Sequence, residues 1–189
     1  MCAAKAREIL GIPGPSVETT FLCRDKPTMK EHLRKTGIPC AQSLGSGDPY
    51  EIREFAKAVG YPLILKPRDG AGASGTIKVN DASELEAGLR EMQVDRGRSI
   101  GVEEFIEGHE GFYDTITVEG RVIHDFACHY YPGVLEAMRT RWISPQFVST
   151  NRLDSADGYR EVKEMGRRVI ESLGIETSAT HMEWFYGPK

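Results

Sequence analysis

Residues Leu63 to Lys78 read LILKPRDGAGASGTIK. The run Leu63-Ile64-Leu65 is short, apolar and bounded by Pro62 and Pro67, which predicts a strand. Thr76-Ile77-Lys78-Val79 alternates in the manner of a half-buried strand. Between them Gly70, Gly72 and Gly75 are separated only by Ala71, Ala73 and Ser74. Such a stretch leaves successive backbone N–H groups uncovered, and these can fold over anionic oxygens. Lys66 closes the apolar run and adds a full positive charge. A glycine cluster by itself also reads as a hairpin turn with a surface lysine. A lysine ending an apolar strand, however, calls for an anionic partner, and the segment reads as a phosphate clamp between two strands. It is not a P-loop, because Gly75 is followed by Thr76 and a strand, without the lysine and helix that motif requires. It is not a protein-kinase loop either, since no H-R-D or D-F-G tripeptide occurs in the chain.

On the N-terminal side, Met1 to Leu10 is helical in pattern, and Gly11-Ile12-Pro13-Gly14-Pro15 breaks the chain. A helix is expected from Asp25, with Thr28 and Glu31 spaced as a capping box and Gly37 as its stop. Cys40 to Leu44 predicts a short strand. Asp48, Pro49 and Glu51 then supply cap, first-turn proline and box acid for a helix whose stripe is Ile52, Phe55, Ala56 and Val59. On the C-terminal side, Asp81 and Glu84 start a helix carrying Leu85, Leu89 and Met92. Ile100 to Phe105, Gly111 to Glu119 and Arg121 to Tyr131 read as successive strands, with Glu119-Gly120 a tight turn between the last two. Residues 131 to 144 read as irregular and 145 to 150 as a strand. A long helix is expected from about Ala156 to Leu173, and Ser178 to Tyr186 reads as a last strand.

The chain has 189 residues, 40% of them hydrophobic, which suits one domain or two small lobes. Its net charge of −4 argues against a general nucleic-acid or anionic-membrane surface, so any basic site must be local. Cys2, Cys23, Cys40 and Cys128 show no metal-finger spacing, and the first residues lack the apolar core of a signal peptide. Reduced thiols and a cytoplasmic location are the expectation.

Four features follow in order: Lys26 opening a helix, Lys66 with its glycine loop, the acidic stretch VEEFIEGHE from Val102 to Glu110, and HMEW near the end. Together DK-x-x-MK, ILKP, GAGASG, EEFIEG and HxE resemble the ATP-grasp superfamily, in the broad group of biotin-carboxylase-like and carbamoyl-phosphate-synthase-like ATP-binding lobes. The resemblance covers the chain from about Arg24 onward. It implies an α+β fold in which two lobes clasp ATP. The expected division is residues 1–22 as the tail of a preceding domain or a linker, 23–101 as the N-terminal lobe and 102–189 as an incomplete C-terminal lobe. It also implies a carboxylate–amine ligase, in which ATP activates the acid as an acylphosphate and ADP and phosphate leave. A non-catalytic nucleotide-binding regulatory module is the alternative.

By that resemblance Lys26 and Lys66 are phosphate-binding lysines, and Gly72, Ala73, Ser74 and Gly75 form the loop over the phosphates. Glu103, with the backbone of Glu104, Phe105 and Ile106, lies along the adenine edge, and Glu110 holds the ribose hydroxyls. Glu183 is one of two acids for Mg²⁺, with Mn²⁺ a substitute, since such ions take carboxylate and phosphate oxygens. Alone, Lys26 would read as a solvated helix end and Glu103, Glu104, Glu107 and Glu110 as a solvated acidic face. Arg141 reaches phosphate or substrate on one reading and is a surface arginine on the other. His124 and His129 lack metal-ligand spacing and read as structural. The family's second metal acid has no counterpart before Lys189, and its preceding α/β domain is absent, so a fragment without turnover of its own is expected. The implied partners are ATP and small carboxylate and amine substrates, with a homodimer as one assembly and neither nucleic acid nor membrane.

Overall fold

The computed structural model describes residues 1–68, 73–140, 142–144 and 146–187. Of the expected site residues, Gly72 and Arg141 lie outside them. The chain divides into two compact units, Arg24–Ile106 and Met1–Cys23 together with Glu107–Lys189.

The Arg24–Ile106 unit contains α3 (Lys26–Lys35), β1 (Ser43–Ser46), α4 (Pro49–Val59), β2 (Leu63–Pro67), β3 (Ile77–Val79), α5 (Ala82–Glu91) and β4 (Ile100–Glu104). Earlier in the chain come α1 (Cys2–Leu10) and α2 (Val17–Arg24). The four strands form one antiparallel sheet in the order β1-β4-β2-β3, with Leu63 opposite Val79 and Leu65 opposite Ile77. The glycine loop therefore joins two paired strands, as expected. Alternation sorts the sheet into two faces. Leu63, Leu65, Val79, Ile100 and Val102 turn to one, where Ile52 and Ala56 of α4 and Leu85, Leu89 and Met92 of α5 complete a buried core. The other face carries Gly45, Gly101, Ile64, Lys66 and Glu103, and Pro27 of α3 lies against the two glycines.

Helix starts follow the expected chemistry with one change. Asp48 accepts the Tyr50 N–H, and Asp81 accepts those of Ser83 and Glu84. At α3 the cap is Asp25, which accepts the Thr28 N–H at 3.1 Å, while Glu31 pairs with Lys35 instead of closing a box. The short strand expected at 40–44 forms at Ser43–Ser46.

The second unit contains β5 (His109–Val118), β6 (Arg121–Tyr131), α6 (Val134–Thr140), β7 (Gln146–Thr150), α7 (Arg160–Ser172) and β8 (Ser178–Tyr186). Its sheet is antiparallel in the order β7-β6-β5-β8. Glu119 and Gly120 have φ of 49° and 74°, the left-handed pair that a two-residue hairpin turn requires. One difference from expectation has a tertiary cause. The stretch expected to be irregular holds α6 at Val134–Thr140, whose first N–H, that of Val134, is satisfied at 2.7 Å by Glu110 Oε2 from β5. Residues Met1–Cys23 group with this unit, and Thr19 Oγ1 of α2 donates to the Leu173 carbonyl at 2.9 Å. The division after Ile106, five residues later than expected, follows β4, which stays paired with β2 through Glu104.

Helix α7 packs where Gly166 meets the ring of Tyr113, a residue only 1% exposed whose hydroxyl donates to Asp125 at 2.7 Å. A Cβ at position 166 would lie 2.3 Å from that ring. Gly166→Ala gains helix propensity but overpacks a held aromatic, and a net loss of about 1–2 kcal/mol is expected in urea unfolding. An unchanged midpoint would contradict this packing.

Candidate functional site

The face of the first sheet that turns away from the core concentrates charge. Lys66 on β2 and Glu103 on β4 lie on it diagonally, since Ile64 is opposite Glu103 and Lys66 opposite Gly101. Lys66 Nζ is 2.7 Å from Glu103 Oε2, and Lys30 Nζ of α3 is 2.6 Å from the same oxygen. All three side chains are largely buried, with 19%, 16% and 7% exposure for Lys66, Lys30 and Glu103. Burial opposes ionisation of Glu103, but Lys30 and Lys66 outweigh it and hold the carboxyl below the usual range. Burial also pushes the Lys30 ammonium down, with Glu103 pulling it back up. Two cations and one anion leave this cluster with a net positive charge, suited to an anionic ligand. Among the described residues, Glu103 Oε1 is buried and has no hydrogen-bond partner.

Sequence reasoning named Lys26 and Lys66 but passed over Lys30. The signal was available, because DK-x-x-MK places Lys30 four residues after Lys26 on the same side of a helix. Lys26 is the first residue of α3. Its neighbour Asp25 both caps the helix and takes a two-pronged bond from Arg68, Nε to Oδ2 and Nη2 to Oδ1, each 2.8 Å. This pair ties the start of α3 to the end of β2, where the glycine loop begins. The Arg68 bond, against burial and aided by Thr28, lowers the Asp25 pKa to about 2. A folded value below the unfolded one of 3.8 stabilises the chain above that pH, and the gain is lost as pH falls towards 2. Asp25→Asn keeps a capping residue but loses the ion pair, so it should cost about 2 kcal/mol at pH 7 and flatten the acid limb of a stability–pH curve. A parallel acid limb in the variant would refute the assignment.

The glycine loop returns to β3 through a turn in which Thr76 N–H donates to the Ala73 carbonyl at 3.1 Å, with Ala73 and Gly75 at φ of 54° and 68°. Ser74 is exposed on this turn. At the end of β4 the backbone is partly committed: Glu104 N–H donates to Gln42 O at 3.0 Å and Phe105 N–H to Pro62 O at 3.1 Å. Neither amide is available to an outside ligand, so the expected backbone edge narrows to the carbonyls and Ile106. Glu104 binds Gln42 through its side chain as well, and Lys78 Nζ stands 3.6 Å from the Phe105 ring centroid. Glu103, expected on a base edge, has one oxygen committed to the lysines.

In the second unit, Glu110 on β5 pairs with Phe185 of β8, and Glu183 pairs with Phe112. Both acids therefore share one sheet face, with Asp114, whose carboxylate is 2.7 Å from His181 Nδ1. Burial, and then the charge of Glu183, raise the Glu110 pKa against the Val134 N–H. The Tyr130 hydroxyl is pushed up to about 12 by burial and by Glu183, Glu110 and Asp114. Carboxylate oxygens are the donors a hard divalent cation takes. Among the described residues, however, no group of three or more His, Cys, Asp or Glu is placed to hold a metal ion. Glu183 could offer one ligand only. His129, expected to be structural, has both ring nitrogens engaged, by His109 at 2.8 Å and by the Tyr159 hydroxyl at 2.7 Å. The four cysteines are free, and among the described residues no helix is long and apolar enough to cross a membrane.

Comparison with known proteins bears on both units. The profile of the carbamoyl-phosphate synthase L chain, ATP binding domain, matches residues 25–125, more than half of the chain. The L-arginine-specific L-amino acid ligase of Bacillus subtilis is 27% identical over 183 residues, covering 94% of this chain and 43% of that ligase. The D-alanine–D-alanine ligase of Pseudomonas putida (strain GB-1) is 28% identical over 173 residues, covering 89% of this chain and 53% of that enzyme. The crystal structure of an L-amino acid ligase from Bacillus licheniformis superposes with a TM-score of 0.72 at 24% identity, over 96% of this chain and 41% of that one. The chain thus spans about half or less of these relatives. With its lysine-bearing sheet, its second antiparallel sheet and this match, the chain belongs to the family of the carbamoyl-phosphate synthase L chain ATP-binding domain, and its fold is that of the ATP-grasp proteins.

Proposed function

We propose that this chain is the ATP-binding portion of an ATP-dependent carboxylate–amine ligase that forms ADP. The observation that carries the reading is the buried Lys30–Glu103–Lys66 cluster, which keeps a net positive charge on one face of the sheet whose strands β2 and β3 the glycine-rich sequence connects. A carboxylate is a poor acyl donor because its leaving group would be oxide, and phosphorylation supplies a better one. That transfer depends on placing and neutralising phosphate charge more than on covalent help. In this reading Lys66 and Lys26 bind phosphate oxygens as point charges, Ala73, Ser74 and Gly75 present backbone over them, and Glu103 and Ile106 meet the base. Glu110 holds the ribose and Glu183 gives one oxygen to Mg²⁺. Magnesium, when bound, would neutralise charge on the phosphates as it develops. The similarity to amino acid ligases makes amino-acid carboxylates and amines the first substrates to try.

The test has two arms. Isothermal titration of the 189-residue chain with Mg·ATP should show binding, and thermal unfolding should shift upward with nucleotide. Product analysis of a longer polypeptide containing this chain, given amino acids, should show ADP and phosphate. AMP and pyrophosphate would overturn the acylphosphate reading, and binding without any substrate-dependent ADP would identify a nucleotide-binding module instead.

A further inference from the structure

Glu110 is held from outside its own sheet. It lies on β5, where the neighbouring Gly111 pairs with His129, so β6 ends beside it at Tyr131. Pro132 and Gly133 lead the chain into α6, and the first amide of that helix, Val134 N–H, donates to Glu110 Oε2 at 2.7 Å. Gly133 lies against the same oxygen, since a Cβ at that position would stand 2.9 Å from Oε2. The carboxylate cannot turn without breaking the amide bond, so fixing Oε2 also fixes the direction of Oε1. One amide fills only one of the roughly four acceptor positions of a carboxylate, which leaves capacity for hydroxyl donors. A hydroxyl-bearing ligand therefore meets an acceptor whose orientation is already set, and the entropy of ordering that side chain does not oppose binding.

We propose that Gly133 and Val134 are positioning residues which lock the Glu110 carboxylate in the orientation that accepts the ribose hydroxyls, so that nucleoside binding and the order of α6 are coupled. This rests on the nucleotide reading above, in which Glu110 holds the ribose. Such a coupling is reciprocal by thermodynamic necessity. A ligand bonded to Glu110 steadies the Val134 amide, and loss of that amide weakens a ligand bonded through its sugar. In the same reading the phosphate and base contacts belong to other residues, so they stay outside the coupling. Two substitutions disturb the carboxylate by different means. Val134 is the first residue of α6, a position at which proline fits a helix, so Val134→Pro removes the N–H and keeps the helix. Gly133→Ala keeps the N–H and sets a methyl group against Oε2.

The experiment is calorimetric titration of the 189-residue chain and of the two variants with Mg·ATP and with the magnesium complex of 2′,3′-dideoxy-ATP, which keeps the base and triphosphate but lacks both ribose hydroxyls. The unmodified chain should prefer ATP by about tenfold. Both variants should lower that ratio several-fold through ATP alone, with the affinity for dideoxy-ATP unchanged. In the unmodified chain, hydrogen exchange at the Val134 amide should slow more with ATP than with dideoxy-ATP at matched saturation. Equal weakening of the two nucleotides in the variants would show that residues 133 and 134 serve the fold alone and would overturn the inference. Weakening of neither, or equal slowing of Val134 exchange by both, would overturn it as well. Equal affinity of the unmodified chain for the two nucleotides would remove the ribose role of Glu110, and the inference with it, while leaving nucleotide binding intact. Failure to bind either nucleotide would remove the underlying reading itself. If Val134→Pro does not fold, the Gly133→Ala ratio and the exchange measurement decide the matter.

Discussion

Replacing Glu103 with leucine should remove about 3–5 kcal/mol from the stability of the Arg24–Ile106 unit, as expected when one partner of a buried ionic group is deleted and the other charges stay behind. Leucine fills much of the same volume, so the loss would come from electrostatics more than from a cavity. Lys30 and Lys66, 16% and 19% exposed, would face each other with no anion between them. Adding Lys30→Met in the Glu103→Leu background should recover a large part of the loss, because the double variant buries one uncompensated ammonium instead of two. Urea unfolding of the single and double variants gives the coupling as a double-mutant cycle. A Glu103→Leu variant within about 0.5 kcal/mol of the parent would mean that this carboxylate does not hold the two lysines. Inorganic tripolyphosphate should restore stability to the Glu103→Leu variant more than to the parent, since it supplies the missing anion to the same cations.

The elements that the sequence made legible are those whose signals are local. The strand before the glycine loop is announced by Leu63-Ile64-Leu65 between prolines, and the helix starts at Asp48 and Asp81 by their caps, and all three are found there. Helix α6 was hidden because its first amide is satisfied by Glu110, 24 residues earlier in the chain. Helix α2 lies just beyond the Gly-Pro break, and its one local signal is Ser16, whose hydroxyl accepts the Thr19 N–H at 3.0 Å. At the site, residue types could suggest an anion clamp but not the pairing within it. That Glu103 would turn its side chain to the lysines depends on the register of β4 against β2, a non-local property fixed by which face is buried. The same β4–β2 register commits the Phe105 amide to Pro62, and the pairing of β4 with β1 on its other side commits the Glu104 amide to Gln42.

Lys66→Met should weaken Mg·ATP binding by about 1.5–3 kcal/mol, or roughly tenfold to a hundredfold, the usual worth of one charge-assisted contact. Its effect should differ in kind from that of Glu103→Leu. Deleting Lys66 leaves Lys30 and Glu103 as a matched pair with Oε2 still occupied, so the fold keeps its ionic balance and the loss falls mainly on affinity. The cluster would pass from a net positive charge to neutrality, which removes attraction for every anionic ligand, so tripolyphosphate and ATP should weaken by similar factors. Raising the salt concentration should narrow the difference only modestly, because a partner 19% exposed is screened less than a surface charge. Titration calorimetry at two ionic strengths, alongside urea unfolding of the free protein, measures both quantities. If Lys66→Met lowered stability by several kcal/mol while ATP affinity held, the lysine would be a structural counter-ion for Glu103, and the phosphate role would have to pass to Lys26 and Lys30.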